Sequence, residues 1–218
     1  MPSGEGLSLR VSEIFASLQG ESTRAGLPTV FVRLTGCPLR CVWCDPEYAF
    51  RGGENLDLET ILDDVAGHEL HYVCVTGGEP LAQATCPALL SALCDAGYSV
   101  SLETSGAFDI GGIDPRVSRI VDLKAPGSGE FERNRFENIP LLNAQDEIKI
   151  VLADEEDYLW ARQQIASLHL AERCPVLLSP VTGWLDPVHL AGWIVRDRLP
   201  VRFHLQLHKV LWQNARGR

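Results

Sequence analysis

The chain has 218 residues and a mass of 24.0 kDa, which suits one domain and can bury a core without disulfide staples. Hydrophobic residues make up 45% and charged residues 22%, the balance of a globular protein. With 19 basic against 29 acidic residues the formal net charge is −10, and the pI is about 5.0. That excludes broad electrostatic binding of nucleic acid or anionic membrane, but leaves room for an anionic small molecule held by a local cluster of positive charge. No apolar run reaches the roughly 20 residues that span a bilayer, and MPSGEGLSLR lacks the charged-then-apolar pattern of a secretory signal. A cytoplasmic protein is therefore expected, and its seven cysteines read as thiols or metal ligands before disulfides.

The chain alternates strands and helices. Glu13–Ser22 reads as a short strand that turns at Gln19-Gly20, and TVFVRL (29–34), rich in β-branched residues, as a buried strand. Asp57 can cap a helix over 58–67 that Gly67 ends. HYVCVT (71–76) is the next strand, and Pro87 suits the first turn of a helix over 87–97. Strands follow at 98–104, 119–124 and 146–153. Asp154 opens an amphipathic helix over 155–170. CPVLLSP (174–180) is a strand, Asp186 and Pro187 start a helix over 188–197, and VRFHLQLH (201–208) reads as a final strand. The apolar faces at 158–170 and 187–196 are expected to be core. The stretches 106–117 and 126–142 lack periodicity and read as loops. This rhythm predicts an α/β protein spanning 1–218 as a single domain, with a parallel sheet, open or curled into a partial, helix-poor barrel. Chemistry in such folds gathers at the C-terminal ends of the strands.

Cys37, Cys41 and Cys44 directly follow the strand 29–34, in the spacing CxxxCxxC. Three unrelated core thiols are one reading. Structural zinc is a second, but it wants four protein ligands, and no second CxxC or CxxH is present. The third is a 4Fe-4S cluster held by three thiolates, whose fourth iron is open to a ligand. One strand–helix unit later stands Thr76-Gly77-Gly78-Glu79-Pro80, where two glycines permit close backbone approach and Glu79 offers a carboxylate to an ammonium. Glu103-Thr104-Ser105-Gly106 offers a carboxylate and hydroxyls, and Asp122-Leu123-Lys124 a charge pair, at two further strand ends.

CxxxCxxC with Trp43 before its last cysteine, followed by GGEP, resembles the radical S-adenosylmethionine (SAM) enzymes. The resemblance implies a partial (β/α)6-type radical SAM barrel. In it the amine and carboxylate of SAM chelate the fourth iron and an electron from the cluster splits the sulfonium. Along almost the whole chain, EIFASLQGES, VFVRLTGCPLRCVWCD, VTGGEP, LETSG, PGSGEFERNRFENIP and the terminal QLHKVLW resemble the 7-carboxy-7-deazaguanine synthase family. That family is a carbon–nitrogen lyase group of queuosine and deazapurine biosynthesis. It takes hydrogen from C6 of 6-carboxy-5,6,7,8-tetrahydropterin, contracts the ring, releases ammonia and regenerates SAM.

Carried over residue by residue, the resemblance implies cluster ligation by Cys37, Cys41 and Cys44. It implies SAM contacts from Trp43, Asp45, Gly78, Glu79, Asp122, Leu123 and Lys124, and pterin contacts from Leu18, Gln19, Gly20, Arg33 and Thr76. A guanidinium such as Arg33 suits a carboxylate because it can grip both oxygens. The resemblance also implies a homodimer and an electron donor such as flavodoxin. In one place the sequence departs from it: the family follows its last cysteine and aspartate with Thr or Ser, whose hydroxyl ligates Mg²⁺, whereas Pro46 has no side-chain oxygen. The competing readings are a radical SAM activating enzyme for a glycyl-radical protein, and a zinc-binding interaction module without catalysis.

Overall fold

A computed structural model describes residues 6–44, 47–213, 215 and 217. Their strands form one nine-stranded sheet. In chain order these are β1 (Ser8–Leu18), β2 (Pro28–Leu34), β3 (Glu54–Asp57), β4 (Tyr72–Gly77), β5 (Ser99–Thr104), β6 (Ser118–Asp122), β7 (Glu147–Leu152), β8 (Val176–Pro180) and β9 (Arg202–Phe203). In space the order is β3-β1-β2-β4-β5-β6-β7-β8-β9. β1 pairs antiparallel with both β2 and β3, and every other pairing is parallel. The sheet is open: β3 and β9 stand at its two edges.

The helices are α1 (Leu58–Gly67), α2 (Cys86–Asp95), α3 (Glu155–Ser167), α4 (Leu170–Arg173), α5 (Pro187–Asp197) and α6 (Leu207–Trp212). Local chemistry sets their starts. Asp57, Asp154 and Asp186 each accept a hydrogen bond from a backbone N–H two or three residues on, satisfying donors that a helix start leaves unpaired. Two segments differ from the sequence expectation, 155–170 and 201–208, and the two connections expected to be loops are so. The run 155–170 is split, because His169 adopts φ +52° and separates α3 from α4. The links β5–β6 and β6–β7 contain no α-helix, only loops and 3₁₀ turns at 126–128, 131–133 and 136–141, as their missing periodicity predicts. The expected strand 201–208 shrinks to β9, and the chain then turns into α6. The cause is capture by the N-terminal turn: Leu207 N–H donates to Gly20 O at 2.8 Å, and Gln206 Nε2 donates to Glu21 Oε1 at 2.6 Å. β3 is a further strand that its polar sequence, ENLD, does not announce. Among the described residues no helix is long and apolar enough to cross a membrane.

The two faces of the sheet differ. On one, Val30, Val32 and Leu34 of β2 continue through Val73, Val75, Val100, Leu102, Val121, Ile148, Ile150, Val176 and Leu178 into a single apolar layer under the helices. Leu89, Leu90 and Leu93 of α2 and Tyr158, Ala161 and Ile165 of α3 complete it. Part of the expected helix stripe is surface instead: Leu159, Val188 and Val195 are exposed, because α3 and α5 turn only one side to the sheet. The alternate residues form the other face, where Arg33, Thr76, Glu103, Asp122, Glu147 and Lys149 stand in adjacent strands. The period of two along a strand is what separates these sets.

The helix-poor side of the sheet relies on one buried ion pair. Arg119 binds Asp146 through Nε (3.0 Å) and Nη2, and donates to the carbonyls of Ile110 and Leu141, pinning both loops that lack helices. Asp146 is 0% exposed. Asp146→Ala strands a buried guanidinium and should cost about 3–5 kcal/mol. Arg116→Ala, which breaks the pairs of a half-exposed guanidinium with Asp95 and Asp114, should cost only a fraction of that. Denaturant unfolding of the two variants measures the difference.

Candidate active site

The cysteine loop begins where β2 ends. Gly36 takes φ +100°, a conformation open to glycine, and its N–H donates to Ala49 O at 2.8 Å. Arg40 then ties the loop to itself, donating from Nη1 to the carbonyls of Cys37 (2.8 Å) and Leu39 (2.6 Å). Its guanidinium carbon lies 4.5 Å from the Phe50 ring centroid. Val42 N–H donates to Ser128 O, fastening the loop to the turn at 126–128. Cys37, Cys41 and Cys44 are half-buried and in no disulfide. Burial pushes the Cys37 and Cys41 thiols up, so a positive metal centre is needed to hold them as thiolates.

The three cysteines line one cavity of about 470 Å³ at the C-terminal ends of the strands. Its walls include Trp43 and Trp184, packed edge to face at 5.9 Å, and Gly77, Gly78, Thr104 and Ser105. Its inner end is charged, with Glu21, Glu103, Asp122, Lys124 and Lys149. Two observations test what the cysteines can hold. Zinc needs its ligands within about 2.0–2.3 Å of one point, and among the described residues no three His, Cys, Asp or Glu converge that way. Three thiolates are also one short of the four protein ligands of structural zinc, whereas a 4Fe-4S cluster on three cysteines has one iron left for another ligand. Second, Asp122 lines the cavity, and its buried Oδ1 has no hydrogen-bond partner. A buried carboxylate oxygen without a donor marks a place where a bound molecule can supply one.

The expected site residues fall into two groups. Cys37, Cys41, Cys44, Trp43, Thr76, Gly78, Asp122 and Lys124 all line the cavity. Leu18, Gln19, Gly20, Arg33, Glu79 and Leu123 do not, for separate reasons. Gln19 is 2% exposed and acts through neighbours: its Oε1 accepts from Glu21 N–H, and its Nε2 donates to Glu103 Oε1 at 3.4 Å. Gly20 is covered by His208, into which a Cβ would project to 2.2 Å. Leu18 ends β1 beside Gln19. Arg33 stands beside Thr76 in register, but its Nε bonds Glu13 Oε1 at 2.7 Å and its guanidinium lies over Phe15. Leu123 sends its side chain into the apolar layer, leaving only its backbone near the site. Asp45 and Pro46 lie outside the described residues.

Glu79 is the main correction. The motif points it at an ammonium, yet it is 0% exposed. Oε1 accepts from Leu81 N–H (2.9 Å), and Oε2 from Ser105 N–H (2.7 Å) and the Ser105 hydroxyl. The Thr104 hydroxyl lies 2.9 and 3.0 Å from the two oxygens. A carboxylate so engaged has no lone pair left for a ligand, so it braces the site rather than facing it. The residues that sequence reasoning leaves out are Glu21, Lys149, Trp184 and Gln206. Their signal on β7 is faint but present: in EIKIVL, Glu147 and Lys149 alternate with Ile148, Ile150 and Leu152.

Gly78 is where the two motifs touch. A Cβ there would come 2.3 Å from Gly36 O and 2.9 Å from Cys37 Cβ. Gly78→Ala should therefore push the cysteine loop outward. We expect iron and sulfide retained after anaerobic reconstitution to fall by half or more, with the thermal midpoint of the unloaded chain shifting by only a few degrees. Metal analysis and a melting curve check both.

Known proteins match this geometry. The profile of the Radical SAM superfamily fits residues 31–123. The 7-carboxy-7-deazaguanine synthase of Chlorobaculum tepidum is 48% identical over 213 residues, covering 96% of this chain and 97% of its own. That of Koribacter versatilis is 40% identical over 219 residues, covering 94% and 97%. Among solved structures, QueE from Escherichia coli superposes with a TM-score of 0.74 at 23% identity, over 94% of this chain and 96% of that one, a likeness of fold. Identity this high along nearly the full length of both chains places the protein in the 7-carboxy-7-deazaguanine synthase family of radical SAM enzymes, which work with a 4Fe-4S cluster and SAM.

Proposed function

We propose that this chain is the lyase that converts 6-carboxy-5,6,7,8-tetrahydropterin into 7-carboxy-7-deazaguanine, the reaction for which its relatives are named. The observation that carries this reading is a single cavity that joins Cys37, Cys41 and Cys44 to an inner end of fixed carboxylates and ammoniums. The near-full-length likeness to named synthases favours it over a glycyl-radical activating enzyme.

Cys37, Cys41 and Cys44 hold the cluster in this reading. When bound, the reduced cluster supplies the electron that splits SAM, so that hydrogen can be taken from C6 of the pterin. Trp43, Asp45, Gly78, Asp122, Lys124 and the backbone at Leu123 receive SAM. The half-buried Trp43, with the exposed Trp184 packed edge to face against it, shields that end from water. Leu18, Gln19, Gly20, Arg33 and Thr76 form the pterin side. Glu103 belongs with them: Thr76 Oγ1 and Gln19 Nε2 fix its carboxylate on the cavity wall, where it can accept from the N–H edge of a pterin. A one-electron donor such as flavodoxin approaches at Val42, which is 59% exposed between Cys41 and Trp43. A homodimer completes the proposal.

The test is anaerobic. Reconstituted, reduced protein given SAM and the pterin should yield the deazapurine acid by mass spectrometry, and Cys41→Ala should yield none. Loaded protein that cleaves SAM but forms no deazapurine overturns the reading.

Magnesium enters through position 46. We propose that Pro46 removes a metal-ligating hydroxyl and leaves turnover weakly dependent on Mg²⁺. Pro46→Thr should then raise the stimulation by Mg²⁺ severalfold, measured as turnover with the metal over turnover with a chelator. An unchanged ratio refutes this.

A further inference from the structure

Lys149 carries a placement that neither motif describes. It sits on the inner face of β7, its side chain 12% exposed, among groups from three separate parts of the chain. Its Nζ lies 2.5 Å from Glu21 Oε2, in the turn after β1. On the other side it lies 3.6 Å from Asp122 Oδ2 at the end of β6, the register partner of Lys149. Lys124 Nζ bonds the same Asp122 oxygen at 2.8 Å, and Gln206 Nε2 bonds the remaining Glu21 oxygen. The result is an alternating row, Lys124–Asp122–Lys149–Glu21, along the inner end of the cavity. Lys149 is the member that crosses from the SAM side to the turn.

We propose that Lys149 is a positioning residue that locks the pterin-side turn, Leu18–Glu21, to the SAM-side strand end at Asp122. This rests on the functional reading above. The physical reason lies in the balance of charge. Two carboxylates in a low-dielectric interior repel, and each needs a cation or several donors to stay ionised. Burial alone raises the Glu21 carboxyl, yet Lys149 and Gln206 together hold it down to about 2. Without the ammonium the turn keeps its bonds to Glu103 and Glu147 but loses its link to the strand end at Asp122, while the Lys124–Asp122 pair remains. The reacting groups would then be carried by elements no longer directly linked to each other. Displacements near 1 Å from productive geometry cost about 10²-fold in rate.

The experiment uses reconstituted full-length protein and three variants: Lys149→Met, Lys149→Arg and Glu21→Gln. In the functional reading above SAM is regenerated, so wild-type protein should not accumulate 5′-deoxyadenosine in step with product. Lys149→Met should raise the ratio of free 5′-deoxyadenosine to deazapurine at least tenfold. Lys149→Arg should restore most of the coupling, and Glu21→Gln should move the ratio in the same direction as Met but less. A readout independent of turnover goes with it: amide exchange at 18–23 and 204–208 should quicken at least tenfold in the Met variant, while exchange in β4 and β5 stays unchanged. A wild-type ratio in Lys149→Met overturns the proposal. So does an equal fall of iron content, SAM cleavage and product in both Met and Gln variants, which marks a purely structural role. Wild-type protein that cleaves SAM without making deazapurine at all instead defeats the functional reading.

Discussion

Glu79 accepts from Leu81, Thr104 and Ser105, while its own N–H donates to Gly36 O at 2.8 Å. One residue thereby joins the loop after β2, through its backbone N–H, to the ends of β4 and β5, through its carboxylate. The rest of the site depends on that junction. Gly77 and Gly78 can press against Leu34 and Gly36 only because the turn is held there, and the cysteine loop takes its shape from the other side of the same contact. Neutralising a buried ionised group by several hydrogen bonds is stable, whereas leaving any of those donors unpaired costs about 1–3 kcal/mol each. The junction is therefore set as a unit, and small changes near it act on the whole mouth of the sheet.

Much of this could be read from the chain. The strands β2, β4, β5, β6, β7 and β8 announce themselves by β-branched runs, and the caps Asp57, Asp154 and Asp186 by their place before apolar periods. The spacing of Cys37, Cys41 and Cys44 was legible for a covalent reason: three thiolates from one short loop suit one inorganic centre. What escaped the sequence were properties of three-dimensional pairing. β3 is polar and exists because β1 supplies its hydrogen bonds, Ser8 to Asp57 and Val11 to Glu54 in register. The last strand fails because Gly20 and Glu21, far away in sequence, draw Gln206 and Leu207 away from the sheet edge. Glu79 looked like a ligand because its motif speaks of charge. Only the fold shows that its oxygens are already taken.

On the inner face the order of nearby charges, not the chain's total, sets the field that a bound molecule meets. A net charge of −10 sets the distant field, but the cavity presents Lys124 and Lys149 interleaved with Asp122 and Glu21. At separations of 3 to 4 Å inside protein, such neighbours outweigh remote surface charge, which salt screens over about 8–10 Å. Local order in the charges therefore matters more to binding than their sum.

Covering that face falls to the chain's two ends. In a sheet whose connections were all helical, both faces would be roofed by helices. Here the roof over the inner face is the turn after β1, closed by Thr23 on Glu147, and the segment before α6, closed by Leu207 on Gly20. These are polar attachments, so the roof is fixed by a few directional bonds instead of by broad apolar contact. Such bonds give orientation without filling the space beneath, and that is what a cavity for two bound molecules requires. The same economy explains why the links β5–β6 and β6–β7 can lack helices. Arg119 and Asp146 secure them at the edge of the core, leaving the strand ends nearby free of bulk and open to the site.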